Sequence, residues 1–260
     1  MTDYEIDQTA ALIETLSEKL YPQEKMILLD TIKQAKQLSQ SRNLIQNGDF
    51  QSFEGWTVNN DLTIQTDNSN FKEKYLHMPG ARTTEINNTV FPTYVYKKIN
   101  ESKLKPYTRY IVRGYISNSK DLELFVTRYD KGVHTILNVP NDVSHMYFDS
   151  QSDPCDPTRI SSNCENENTF SFSIDTGSLD FHENLGIEIL FKISNLDGYA
   201  ELGNLEVIEE KPLIEKELNR IKEKIDGDKL EIINKKKQNK HIIKLSKPLI
   251  HYLLIHSIKY

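Results

Sequence analysis

The side chains best suited to chemistry in this 260-residue sequence are five aromatics, Trp56, Tyr94, Tyr96, Tyr110 and Tyr115, with two cations among them, Arg109 and Arg113. Aromatic faces stack on the C–H faces of sugars, and guanidinium groups donate to hydroxyls, so this set is a candidate carbohydrate surface. The competing reading places most of these aromatics in the core or at the edge of a β-sheet. Covalent chemistry has no comparable candidate. The sequence contains no G-x-S-x-G, no H-E-x-x-H and no phosphate-binding loop. The adjacent Glu209 and Glu210 read as solvated charge. Two cysteines, Cys155 and Cys164, are too few for a disulfide scaffold and have no histidine at zinc-ligand spacing. Their separation permits a local disulfide, whereas free thiols fit a reducing cytoplasm. The expectation is a binding or assembly protein, not an enzyme.

Those residues have to be positioned by strands. Tyr107, Arg109, Ile111, Arg113 and Tyr115 alternate with Tyr110, Val112 and Ile116, the period of a half-buried strand. Leu62 and Ile64, the run Leu122–Tyr129, Phe170, Phe172 and Ile174, and Ile187 to Ile193 repeat that pattern between turn signals. The Leu122 run is expected to enter through a turn at Asn118–Asp121, and a last strand runs from Tyr199 to Ile208. Residues 42–209 are therefore expected to form a mainly β fold, a jelly-roll sandwich, with flanking helices. Arg42–Trp56 reads as its opening strand, with a turn at Asn47-Gly48 and apolar anchors Leu44 and Phe50.

Helical spacing brackets this region. Ile6, Ala10, Ile13, Leu16 and Leu20 make one stripe over residues 3–20. Pro22 starts a second helix with Met26, Leu29, Ile32, Ala35 and Leu38. Such a hairpin (residues 1–41) cannot bury both stripes alone and must lean on the β domain, another copy or other helices. A further helical segment is expected over 210–239, and 240–260 is a basic tail.

Charge is uneven. The net charge is -6, yet residues from Lys211 onward hold 13 Lys+Arg against 6 Asp+Glu. The acidic body argues against nucleic acid as a partner. MTDYEIDQTA lacks a signal-peptide pattern and no apolar run is long enough for a membrane span, so a cytoplasmic location is expected. The stretch 150–168, rich in Asp, Asn, Ser and Pro, reads as a long surface loop holding both cysteines.

The motif NLIQNGDF at 43–50, followed by GW at 55–56, resembles the opening of galactose-binding-type jelly-roll modules. A wider resemblance covers residues 3 to about 224. DYEIDQTAALIETLSEKL (3–20), AKQLSQSRNLIQNGDF (35–50), PTYVYKKINESKLKPYTRYIVRGYI (92–116) and LGIEILFKISNLDGYAELGNLEVIEEKPL (185–213) carry it, with GWTVNNDLTIQ (55–65) and DLELFVTRYD (121–130) between them. The chain resembles the C-terminal, protoxin half of the large pesticidal crystal proteins, without their toxin core. The resemblance implies a carbohydrate-module-like β domain between helical segments. It implies a role in packing toxin into the parasporal crystal of a sporulating cell, with toxin chains and further copies as partners. Attachment to host gut glycans is the alternative. Related jelly rolls also hold a structural calcium ion between first and last strands, which would make Asp49 and Glu206 candidate ligands. The chain departs from the family pattern in having only two cysteines and in its tail near His241. That tail reads as a disordered segment or the product of a frameshift.

Overall fold

The alternation seen in the sequence becomes eleven strands in the computed structural model, which describes residues 1–59, 62–84, 89–128, 131–139, 168–215, 217–219 and 233. Two helices precede them, α1 (Asp3–Glu14) and α2 (Pro22–Arg42). The strands are β1 (Thr57–Val58), β2 (Thr63–Gln65), β3 (Tyr75–Met78), β4 (Arg82–Thr83), β5 (Val90–Phe91), β6 (Thr93–Ile99), β7 (Thr108–Arg128), β8 (Lys131–Val139), β9 (Thr169–Asp175), β10 (Ile187–Ile193) and β11 (Tyr199–Pro212). Cys155, Cys164 and the tail 240–260 lie outside the described residues.

All pairings are antiparallel, and one strand organises them. The N-terminal half of β7 pairs with β9 and β11, and its C-terminal half with β8 and β10. The sheet curls about β7 into two layers of a jelly-roll sandwich, β1-β6-β10-β7-β8 and β9-β7-β11-β3-β2. Phe170 of β9 meets Phe191 of β10 edge-on across the core, with centroids 5.8 Å apart. The turn expected at Asn118–Asp121 is instead an irregularity inside a 21-residue strand. Asp121 adopts φ 56° and the register to β8 shifts between Ser119 and Leu122. A left-handed residue inserted into a strand bends it without ending it.

The opening strand expected over Arg42–Trp56 is also corrected. The segment is a chain of turns clipped along β11. Asn43 Oδ1 accepts from Val207 N at 2.9 Å, and Leu44 N donates to Val207 O at 2.8 Å. Asn47 takes φ 56°, and a Cβ on Gly48 would lie 2.0 Å from Leu205 O, so only glycine passes there. Phe50 then drops, fully buried, into the core.

The helix α1 opens on a capping box, Thr2 with Glu5, which satisfies two of its orphan N–H groups. It ends at Glu14, short of the expected Leu20. Lys25 Nζ closes that end by donating to Glu14 O at 2.9 Å and Leu16 O at 3.0 Å. A buried ion pair pins the sandwich at the end of β7. Glu101 receives Arg128 Nη2 at 3.1 Å, Asp180 N at 2.9 Å and Gly186 N at 2.9 Å.

Candidate functional site

The seven residues expected to bind sugar fall in three different places. Trp56 and Tyr110 belong to the core. Trp56 packs on Phe50 with centroids 5.1 Å apart, and its Nε1 donates to Asn47 O at 3.0 Å. Lys97 Nζ lies 5.0 Å from the Trp56 ring centre, and burial, followed by the nearby Lys103, pushes that lysine's pKa down. The buried Tyr110 hydroxyl accepts from Lys105 N at 2.7 Å.

Arg109, Arg113 and Tyr115 point outward from the N-terminal half of β7, onto a face that the helical segments cover. Arg109 holds Asp175 through two bonds of 2.7 and 2.8 Å and reaches Glu217 at 3.5 Å. Arg113 Nε donates to Glu206 Oε2 at 2.8 Å, and its Nη2 to Met1 O at 3.2 Å. Tyr115 stacks on Tyr4 of α1 at 3.6 Å. Beside them Lys36 of α2 donates to both Asp7 oxygens, at 2.9 and 3.0 Å, and lies 3.3 Å from Asp3. Asn204 of β11 completes the clamp by donating to Asp7 at 2.8 Å.

The two expected calcium ligands have different surroundings. Glu206 gives one oxygen to Arg113 and the other to Ser39 Oγ, at 3.1 Å. Asp49 lines a polar cavity of about 80 Å³ with Asp7, Glu73, Gln51, Lys36, Lys72, Lys74 and Asn204, a wall in which three ammonium groups balance three carboxylates. Among the described residues no group of three or more His, Cys, Asp or Glu gathers to hold a metal ion.

Tyr94 and Tyr96 occupy the outer face of the other layer. The register sets Tyr96, Leu190, Phe125 and His134 side by side across β6, β10, β7 and β8. The adjoining row is Tyr94, Lys192 and Glu123. Phe125 and His134 stack at 4.0 Å, and Lys192 Nζ lies 5.8 Å from the Phe125 ring centre. Glu123 gathers the polar groups, accepting Ser194 Oγ at 2.6 Å and lying 3.5 Å from both Lys192 Nζ and His134 Nε2. Burial raises the Glu123 carboxyl, but His134, Ser194 and Lys192 outweigh it and hold it below the usual carboxylate range. Burial, then the charge of Glu188 beside it, raises the pKa of the Tyr96 hydroxyl.

Sequence reasoning missed Phe125, His134, Glu123 and Lys192. Alternation in LELFVTRY and GIEILFKI put Glu123, Phe125 and Lys192 on one parity of their strands. Only the pairing register shows that these parities share one face.

Comparison with known proteins gives the following. The family model for insecticidal delta-endotoxin CryIA(c) domain 5 matches residues 45–211. Pesticidal crystal protein Cry4Aa of Bacillus thuringiensis subsp. israelensis is 50% identical over 259 residues, covering 89% of this chain and 22% of that protein. Pesticidal crystal protein Cry8Ba of Bacillus thuringiensis serovar kumamotoensis is 39% identical, covering 97% of this chain and 23% of its own length. The chain thus spans less than a quarter of these relatives. Among solved structures, TmCBM61 in complex with β-1,4-galactotriose aligns over 65% of this chain and 99% of its own, at 11% identity and TM-score 0.37. A family 16 carbohydrate-binding module aligns over 64% and 100%, at 14% identity and TM-score 0.38.

Proposed function

This chain belongs to the insecticidal delta-endotoxin family, and we propose that within it the chain is a non-enzymatic assembly module, helping toxin chains pack into the parasporal inclusions of a sporulating bacillus. The observation that carries this reading is the loop end of the helical hairpin. The inner edge of the hairpin is docked through Ile6, Ala10 and Ile13, but Leu12, Leu20, Met26 and Ile27 remain 61–72% exposed. Large apolar side chains left out around one turn favour association with another chain. Expression in a sporulating bacillus beside a toxin core lacking its protoxin half tests this. Inclusions should grow in number or size when the chain is present, and Met26→Glu with Ile27→Glu should remove the gain. Toxin inclusions unaffected by the chain would overturn the reading.

A packing module also has to let go. Contacts between molecules that use exposed lysine and tyrosine lose their charge or hydroxyl proton at about pH 10. The interior holds longer. Burial lowers the Lys36 pKa, but Asp7 and Asp3 outweigh it and the net shift is upward. Burial, followed by Tyr115, raises Tyr4, and burial, followed by Asp67, raises Tyr75. Groups raised on folding keep their full contribution below the unfolded pKa and lose it as pH climbs toward the folded value. Inclusions should therefore dissolve between about pH 9 and 11 with the near-ultraviolet circular dichroism of the module still native near pH 10. Solubility that stays flat over this range would count against the packing role.

Glycan binding is the second reading. The outer aromatic row around Phe125 and Tyr94 favours it.

A further inference from the structure

We propose that the outer face of the β1-β6-β10-β7-β8 layer is a binding platform for a neutral oligosaccharide, with Tyr94, Phe125 and His134 as its stacking surface and Glu123, Lys192 and Ser194 as its polar partners. This rests on the glycan-binding reading above and gives it a place. The row Tyr96–Leu190–Phe125–His134 crosses four adjacent strands in register; Tyr96 and Leu190 are buried and form its floor, while Tyr94, Phe125 and His134 reach solvent. Neighbouring strands lie about 4.8 Å apart, so the face from β6 to β8 is about 14 Å wide, enough for a short run of pyranose rings laid across the strands. Its chemistry is amphipathic in the way a sugar requires. Half-exposed His134 stacks flat on Phe125, and Tyr94 stands half-buried beside Tyr96 and Leu190.

The polar groups are built into the same face. Glu123 is held in place by Ser194 at 2.6 Å and lies 3.5 Å from both Lys192 and His134. A carboxylate fixed from three sides offers its remaining lone pairs to hydroxyls at no further ordering cost. Lys192 adds a donor beside it. The face carries one carboxylate and one ammonium at Glu123 and Lys192, and another such pair at Glu188 and Lys98, 3.7 Å apart. Paired charges leave no surplus cation to attract a sialylated or sulfated chain. That balance selects an uncharged saccharide over an anionic one. The opposite layer has no such opening among the described residues, because Tyr115, Arg113 and Arg109 are engaged by the helical segments.

The test uses the full chain on an array of neutral hexose and N-acetylhexosamine oligosaccharides printed beside sialylated and sulfated ones, followed by calorimetry with the strongest neutral ligand. The expected result is binding to neutral chains, with Tyr94→Ala, His134→Ala and Glu123→Gln each weakening it by about tenfold or more. Phe181→Ala, an exposed aromatic away from the row, should leave it unchanged. Thermal melts of each variant identify any loss that comes from unfolding, and His134→Ala, at a half-exposed position, is the safest of the three. No binding by the parent chain to any glycan would overturn the glycan reading itself. Binding retained by all three folded variants would leave that reading standing and overturn this site. Preference for anionic chains would overturn the assignment of a neutral ligand.

Discussion

Arg128→Ala is expected to lower the unfolding free energy by about 3–5 kcal/mol, with a fall in Tm of roughly 10 °C. The side chains of Arg128 and Glu101 are only 2% and 0% exposed. They join three separate pieces of chain: the turn after β6, the end of β7, and the segment 180–186 before β10. Arg128 Nη1 donates to Gly186 O at 3.0 Å while Nη2 holds Glu101. Removing the cation leaves a carboxylate in the interior with, among the described residues, two backbone N–H groups to answer it. The large cost is that of the stranded charge. It does not measure the net worth of the pair. A double variant, Arg128→Met with Glu101→Gln, should therefore recover part of the loss, which denaturant titration of the single and double variants can resolve. Equal losses in the single and double variants would show that the charge is not the cause.

The same pair fixes an acid limit. Burial raises the Glu101 carboxyl, but Arg128 and the N–H groups of Gly186 and Asp180 outweigh it, so its pKa is lowered. A lowered carboxylate contributes its full stability above the unfolded value, about 4.3, and loses it as pH falls through the folded one. The pair is therefore intact in neutral and alkaline solution and fails only in acid. That suits a module whose release we place at high pH.

What the sequence made legible follows from local periodicity. Ile6, Ala10 and Ile13 recur at helical spacing and do form the docked face of α1. Phe172, Ile174, Ile189 and Phe191 alternate and are buried. The Asn47-Gly48 signal marks a true turn because a left-handed residue and a Cβ-free one are both needed where the chain passes Leu205. What stayed hidden depends on long-range pairing. Arg109, Arg113 and Tyr115 share a parity, but nothing local says that Tyr4 of α1 stacks on Tyr115, that Ser39 of α2 meets the Glu206 partner of Arg113, or that Glu217 reaches Arg109. Glu101 and Arg128 sit 27 residues apart, and each alone reads as a solvated charge. Asp121 resembles a turn residue and is one in its φ angle, yet the strand continues through it because β10 and β11 pair on both sides. The candidate platform was half visible in Tyr94 and Tyr96. Its other half needed the register that sets Phe125 beside Leu190 and His134.

Trp56→Ala is expected to destabilise the chain by about 3–5 kcal/mol, and to do so whether or not any sugar binds. Trp56 is 8% exposed. Its ring fills the space between Phe50 and the Lys97 ammonium, and its Nε1 satisfies the Asn47 carbonyl. Truncation opens a cavity at the place where the N-G-D-F turn meets the core, and it removes one donor from the Asn47 carbonyl, which keeps the Phe50 N–H at 3.2 Å. Lys97 loses its aromatic partner as well and keeps the Gln46 carbonyl at 3.4 Å, so a buried ammonium whose pKa burial already pushes down is left with weaker support. The segment Asn43–Phe50 is clipped to β11 by few bonds, so its exchange protection should fall first. Hydrogen exchange read by mass spectrometry should show faster exchange over residues 43–56 than over β10 in this variant. A lost glycan signal in Trp56→Ala thus reports the fold. The decisive comparison is His134→Ala, where the ring is half-exposed and its removal opens no core cavity. If Trp56→Ala melted like the parent chain while abolishing binding, Trp56 would belong to a binding surface and its place in the core would be refuted.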